Sequence, residues 1–242
     1  MIRKNAHSIY TSTLFTSLGI PHAYSTRKFG DMRNFSSYKK FLETAGLNPR
    51  TLVTGEQVHG IRIADVGPTD SGHEMKGYDG LVYKKNGDGP VALGVSFADC
   101  VPVLATDTRE GIIGTAHAGW KGTLAGVTKA LIRAMTHAGA HTRDIYVSIG
   151  PHIGMCCYNV TEDRALAFLK QFGVDDKIAT RILGVWHVDI GYANYAQLVE
   201  VGIDRAHIDA PPVCTSCQVA DFNSYRKDPA FAFGLQLGVI AV

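Results

Sequence analysis

A mixed α+β fold is what the sequence predicts, and three features carry that expectation. Short apolar runs rich in β-branched residues recur at 91–97, 101–106 and 112–116, with Asp, Gly and Pro between them. One stretch, 119–138, sets Leu124, Val127, Leu131 and Met135 at helical spacing and ends at Gly139. Strand-like runs outnumber helical ones and do not alternate regularly with them, which argues against a doubly wound parallel sheet.

The elements follow in order. Residues 20–26 read as a short extended segment, and 38–45 as a helix stopped by Gly46. The region 52–117 is dominated by strand signals. After the long helix come a strand at 145–149, ended by Gly150-Pro151, and a helix at 162–172. A strand at 185–188 and a helix at 194–202, with Leu198 and Val201 as its apolar stripe, complete the regular part. From 208 onward the chain reads as irregular and then extended over 231–242. No repeat, low-complexity stretch or linker interrupts the sequence, so residues 1–242 are expected to form one domain.

Composition narrows the function classes. The 242 residues are 45% hydrophobic, enough for a sizeable core, and 19% are charged. A formal net charge of +2, with no basic run longer than a pair, argues against a nucleic-acid partner. No stretch approaches the roughly 18 apolar residues of a membrane helix. The first residues, Met1 to His7, contain no apolar segment of signal-peptide length. A cytoplasmic protein with reduced thiols is therefore expected, and its five Cys are free for metal or catalytic use.

Three short segments place a metal ligand beside a strand end or a glycine: Gln57-Val58-His59-Gly60, Ala98-Asp99-Cys100-Val101-Pro102 and His117-Ala118-Gly119-Trp120-Lys121. Zinc accepts imidazole nitrogen and thiolate sulfur, and a catalytic zinc keeps three protein ligands with a fourth position open. His59, Cys100 and His117 would make such a set. Their long separations in sequence are equally compatible with core histidines and a core cysteine.

The ordered series of motifs removes that ambiguity. Glu56-Gln57-Val58-His59-Gly60, Asp79-Gly80-Leu81-Val82, Ala98-Asp99-Cys100-Val101-Pro102, His117-Ala118-Gly119-Trp120-Lys121-Gly122 and Gly150-Pro151-His152-Ile153-Gly154 succeed one another, followed by Cys214-Thr215-Ser216-Cys217 and Ser224-Tyr225-Arg226. Over about residues 20–230 the chain resembles the laccase-domain family, also called the multicopper polyphenol oxidase or purine nucleoside phosphorylase family. The resemblance implies an αββα-like single domain with mixed β-sheets sandwiched between helices, and zinc on His59, Cys100 and His117. It implies phosphorolysis of adenosine, inosine, guanosine and methylthioadenosine, hydrolytic deamination of adenosine, and purine nucleosides and phosphate as small-molecule partners. Between Thr26-Arg27 and Gly30-Asp31 most of a family loop is missing, and Pro229-Ala230-Phe231 replaces a family Thr-Gly-Arg.

Roles for the remaining candidates follow from the chemistry. Deamination needs an acid/base group near an activated water, and Asp99 is the carboxylate nearest Cys100 in sequence. Neighbouring strand residues face opposite ways, so Asp99 can equally orient a ligand from behind. Phosphorolysis needs a phosphate held close to C1′, for which Arg27 and Arg226 are the first choices and Lys121, at a helix start, a third. Cys214-x-x-Cys217 has zinc-site spacing, but the adjacent pair Cys156-Cys157 is poorly suited to complete it, so buried thiols are expected there. Rival readings are copper-dependent polyphenol oxidation, with Cu2+ on the same residues, a metal-free hydrolase with Cys100 as nucleophile, and a non-enzymatic zinc module. The ten His include no His-x-His pair of the kind that multicopper sites use.

Overall fold

The computed structural model describes residues 1–87, 89–210, 213–229 and 233–242. Two mixed sheets pack face to face. The first orders the strands Ile2–Lys4, Tyr10–Ser12, His22–Tyr24, Gln236–Ala241, Ala92–Phe97, Leu52–Gly55 and Glu74–Met75. The second orders Ile208–Asp209, Ile145–Ile149, Val101–Asp107, Ile112–Ala118, Gly80–Lys84 and Ile63–Asp65. A separate hairpin pairs Ala179–Ile182 with Val185–Val188.

Strand alternation builds the layers. In Val101–Asp107, Val101, Val103 and Ala105 face a helical layer, while Leu104 faces the other sheet. Ile112 and Ile113 divide in the same way. The inter-sheet core joins Leu93, Val95 and Phe97 of one sheet to Leu81, Tyr83, Leu104 and Ile113 of the other. On the outer face of the second sheet lie the helices Val127–His137, Glu162–Phe172 and Ile190–Glu200, through Leu131, Met135, Phe168 and Leu198. Helix Phe35–Thr44 covers the first sheet through Phe41 and Leu42. The result is the helix–sheet–sheet–helix sandwich that the sequence led us to expect.

The element bounds differ from expectation in several places. The stretch 119–138 is two helices, Trp120–Ala125 and Val127–His137, because Gly126 takes a left-handed φ of +89°. The apolar spacing runs through the break, which is why periodicity alone merges the two. The last helix begins earlier than expected, at Ile190, since Asp189 caps it by accepting a hydrogen bond from Tyr192 N at 2.7 Å. The C-terminal strand is Gln236–Ala241; the first two residues of the expected extended stretch, 231–232, lie outside the described residues.

Candidate metal centre

The strand ladder explains how residues far apart in sequence meet. Val101–Asp107 pairs antiparallel with Ile112–Ala118, with His117 opposite Pro102 and Ala118 opposite Val101. Cys100 therefore stands at the open end of a hairpin beside His117. His59 arrives from the loop before Ile63–Asp65, whose parallel partner is Gly80–Lys84. That loop carries positive φ at Gln57 (60°) and His59 (62°), rare for residues with a Cβ. The Gln57 amide secures it: Nε2 donates to Ser96 O and Oε1 accepts from Ser96 N, both at 2.7 Å.

The ligand atoms of His59, Cys100 and His117 all lie within 4.8 Å of one another. Cys100 Sγ is 3.9 Å from His59 Nε2, and the two imidazoles meet edge to face with centroids 4.7 Å apart. Asp79, nearly inaccessible to solvent, holds both histidines. Its Oδ1 accepts from His117 Nδ1 at 3.0 Å and from His59 N at 2.8 Å, and its Oδ2 accepts from Gly60 N at 2.7 Å. A carboxylate only accepts, so His117 presents an Nδ1 proton to Asp79, which leaves Nε2 as the nitrogen for a ligand bond. Burial opposes its charge, but without a metal the Cys100 thiolate and Asp79 push the ring up to about 9, so ligation would release a proton. Burial pushes the Asp79 carboxyl up, but the bonds from His117, Gly60 and His59 outweigh it and hold it below the usual range. Burial also opposes the Cys100 thiolate, yet the charge of His117 and hydrogen bonds from both histidines bring that thiol down to about 6. Space for the sulfur exists because residue 119 is glycine: a Cβ there would stand 2.7 Å from His59 Cδ2 and 3.1 Å from Cys100 Sγ. Two imidazoles, a low-pKa thiol and a carboxylate behind one imidazole fit a borderline divalent cation with one position left open.

The trio opens on a cavity of about 1070 Å³, near the upper end for small-molecule sites. Lys121, Arg33, Arg164 and Arg226 are its basic lining, and Glu56, Glu74 and Asp99 its acidic lining. The Arg164 guanidinium lies 4.1 Å above the Trp120 ring and donates to the Tyr158 hydroxyl at 3.3 Å. Arg226 lies over Tyr158 at 5.3 Å and donates to Asn159 Oδ1, to Asn159 O at 3.1 Å and to Cys157 O at 3.3 Å. Aromatic faces thus hold the two guanidinium planes in place.

Two of the sequence candidates have partners of their own. Arg27 does not line this cavity. It forms a 3.0 Å ion pair with Asp228 and donates to Asn223 Oδ1 and Val219 O, beside a separate pocket of about 320 Å³. Arg27 itself opens the single turn Arg27–Phe29 that the short loop forms. Asp99 lines the cavity but is held from behind. Its φ of +80° takes it out of the strand, and both of its oxygens are engaged. Oδ1 accepts from Thr215 Oγ1 at 2.6 Å, and Oδ2 accepts from Ser224 Oγ at 2.9 Å and Arg226 N at 2.7 Å. Lys121 does line the cavity, with Nζ 5.6 Å from the Trp120 ring. Asp79 received no role from sequence although its Asp-Gly segment stood out. Arg164, in the first turn of Glu162–Phe172, received no role from sequence either.

Fold and site together define an αββα-type sandwich that presents a His–Cys–His ligand set to a cavity lined by both basic and acidic side chains. The chain belongs to the multi-copper polyphenol oxidoreductase laccase family, whose model matches residues 32–242. It is 37% identical over 184 residues to the purine nucleoside phosphorylase YlmD of Geobacillus stearothermophilus, covering 72% of this chain and 66% of that protein. Adenosine deaminase RL5, from an unknown prokaryotic organism, is 32% identical over 193 residues, 75% of this chain and 72% of that one. A purine nucleoside phosphorylase of Deinococcus radiodurans is 31% identical over 232 residues, 88% and 85% of the two chains. The crystal structure of YlmD from Geobacillus stearothermophilus superposes with a TM-score of 0.86 at 28% identity, covering 99% and 97% of the chains.

Proposed function

We propose that this chain is a purine nucleoside enzyme acting as one catalytic unit around a single zinc ion held by His59, Cys100 and His117. The observation that carries the reading is the ligand trio opening on a cavity lined by Lys121, Arg164 and Arg226. The names of the relatives supply the substrate class. Zinc bound there would give a water of lowered pKa and a positive charge that draws anions.

The protein's own groups account for the rest. In phosphorolysis, phosphate attacks C1′ as the purine leaves, so the site must keep an anion beside a carbon that gains positive character. Arg164 and Arg226 offer planar forks already fixed by Trp120, Tyr158 and Asn159, which reduces the ordering cost on binding phosphate. Lys121 adds a point charge. Adenosine, inosine, guanosine and methylthioadenosine are the proposed phosphorolysis substrates, and adenosine is also the proposed deamination substrate. A cytoplasmic setting, where thiols stay reduced, belongs to the same reading.

One rival has a specific observation behind it. The Cys100 thiol at about 6, beside two imidazoles, is also what a metal-free Cys–His nucleophile needs. The test is one sample read twice: metal content after purification without added metal, then chromatography of each nucleoside with and without phosphate. About one zinc at this site, with free base released only when phosphate is present, supports phosphorolysis. Inosine formed from adenosine without phosphate adds deamination. Activity that survives complete chelation but not thiol alkylation overturns the zinc reading. Oxidation of polyphenols only after copper is added would mark the copper reading as adventitious loading.

A further inference from the structure

Four of the five cysteines converge away from the His59–Cys100–His117 set. Cys156 and Cys157 lie in the turn that follows Ile153-Gly154, and Cys214 and Cys217 lie in a second turn. The four sulfurs all sit within 4.8 Å of one another. Cys217 Sγ is 3.5 Å from Cys156 Sγ and 3.3 Å from Cys157 Sγ. Bonded sulfurs would be about 2.0 Å apart. Four sulfurs each about 2.3 Å from one zinc ion stand roughly 3.8 Å apart at the corners of a tetrahedron. The observed spacing is that of a ligand shell.

The adjacent pair is the objection from sequence, since neighbouring side chains diverge. Here they lie in a tight turn instead, with Cys157 N and Tyr158 N both donating to Gly154 O at 3.0 Å. Both sulfurs are thereby brought to Cys217. The second turn is closed by Gln218 N donating to Cys214 O at 3.0 Å. The two turns are locked in register by His152 N to Val213 O at 3.1 Å and Thr215 N to His152 O at 2.9 Å. Gly154 N also donates to Cys214 Sγ at 3.2 Å, the backbone contact that favours a thiolate. Cys214 is buried, while Cys156 and Cys217 reach the surface, so an ion can enter from solvent.

We propose that Cys156, Cys157, Cys214 and Cys217 form a second, structural zinc site with four thiolate ligands. All four positions are filled by protein, so the site has no open position for catalysis and acts as a staple. What it joins is the back of the cavity. Cys157 O and the neighbouring Asn159 receive the Arg226 guanidinium, and Thr215, inside the second turn, anchors Asp99, which in turn holds Arg226 N. Loss of the ion would loosen both turns together.

The test counts metal per chain in protein purified with a phosphine reductant and no added metal, for wild type, Cys217→Ser and His59→Ala. The expected result is one ion that Cys217→Ser loses and His59→Ala keeps, whatever the occupancy of the other site. X-ray absorption of His59→Ala at the zinc edge should then give four sulfurs at about 2.3 Å. If Cys217→Ser fails to fold, the His59→Ala protein loaded with cobalt decides, through the intense thiolate-to-cobalt absorption of a tetrahedral four-sulfur site. No ion retained by His59→Ala overturns the proposal, and so does a native mass lower by two hydrogens that reverts on reduction, which would mean a disulfide.

Discussion

Asp79 Oδ1 and His117 Nδ1 are joined by a 3.0 Å hydrogen bond, and the same carboxylate accepts from the backbone of His59 and Gly60. One buried side chain thus sets the tautomer of one ligand and the backbone position of another. Asp79→Asn keeps the shape and removes the charge. Metal affinity should fall about 10–100-fold, measured by competition with a chromogenic chelator. An unchanged affinity would reduce Asp79 to a packing residue.

Gly119 tests the steric side of the same site. Its φ of −69° and ψ of 169° suit any residue, so backbone strain plays no part. A methyl group there would instead press on His59 Cδ2 at 2.7 Å and Cys100 Sγ at 3.1 Å. Gly119→Ala should displace ligands by some tenths of an ångström. Bound metal should drop while the circular dichroism spectrum stays native. Full metal content in this variant would show that the loop of His59 can yield.

Much of this was legible in the residues. The strands at 145–149 and 185–188 and the helix at 162–172 follow from local pattern, and their observed bounds match it. The αββα layering and the trio needed the ordered motifs, since no local spacing links His59 to Cys100. The fates of Arg27 and Asp99 were not legible. Each depends on partners about 200 and about 120 residues away, Asp228 and the Thr215–Arg226 region, which only the tertiary fold brings close. The meeting of Cys156 and Cys157 with Cys217 was not legible either, because it joins two turns about 60 residues apart.

His22 predicts a pH dependence of stability. Its Nε2 accepts from Ser12 N at 2.7 Å, and its Nδ1 lies 2.8 Å from Ile20 O, so the buried ring is neutral with the proton on Nδ1. Burial pushes its pKa below the ordinary value, against the smaller pull of the Ile20 carbonyl and of Asp209. The unfolded chain therefore takes up this proton near pH 6.5, and the folded chain only at lower pH. Below about pH 6.5 the unfolded state binds more protons, so stability falls as pH falls, by up to about 1.4 kcal/mol per pH unit, until the folded ring protonates. Urea unfolding across roughly pH 5 to 7.5 should show this slope. The slope should flatten in His22→Gln; an equal slope in both proteins would assign it to another group.

Asp99 separates a structural clamp from a chemical role. Its oxygens accept three hydrogen bonds, from Thr215, Ser224 and the Arg226 backbone, at a position with φ of +80° that asparagine also tolerates. Asp99→Asn removes the charge behind all three and turns an N–H₂ group toward a donor. Hydrogen bonds to a charged group contribute about 1.5–3 kcal/mol each, so a loss of about 2–4 kcal/mol is expected, and Tm should fall by roughly 4–16 °C for a chain of this size. Because Arg226 shifts with the clamp, KM for phosphate should rise more than kcat falls, and the pH profile of kcat should keep its shape. An acid/base residue would behave in the opposite way: an ionisation would vanish from the kcat profile while Tm stayed within about a degree of wild type. Thermal melts and a pH–rate series on this one variant therefore decide between the two roles of Asp99.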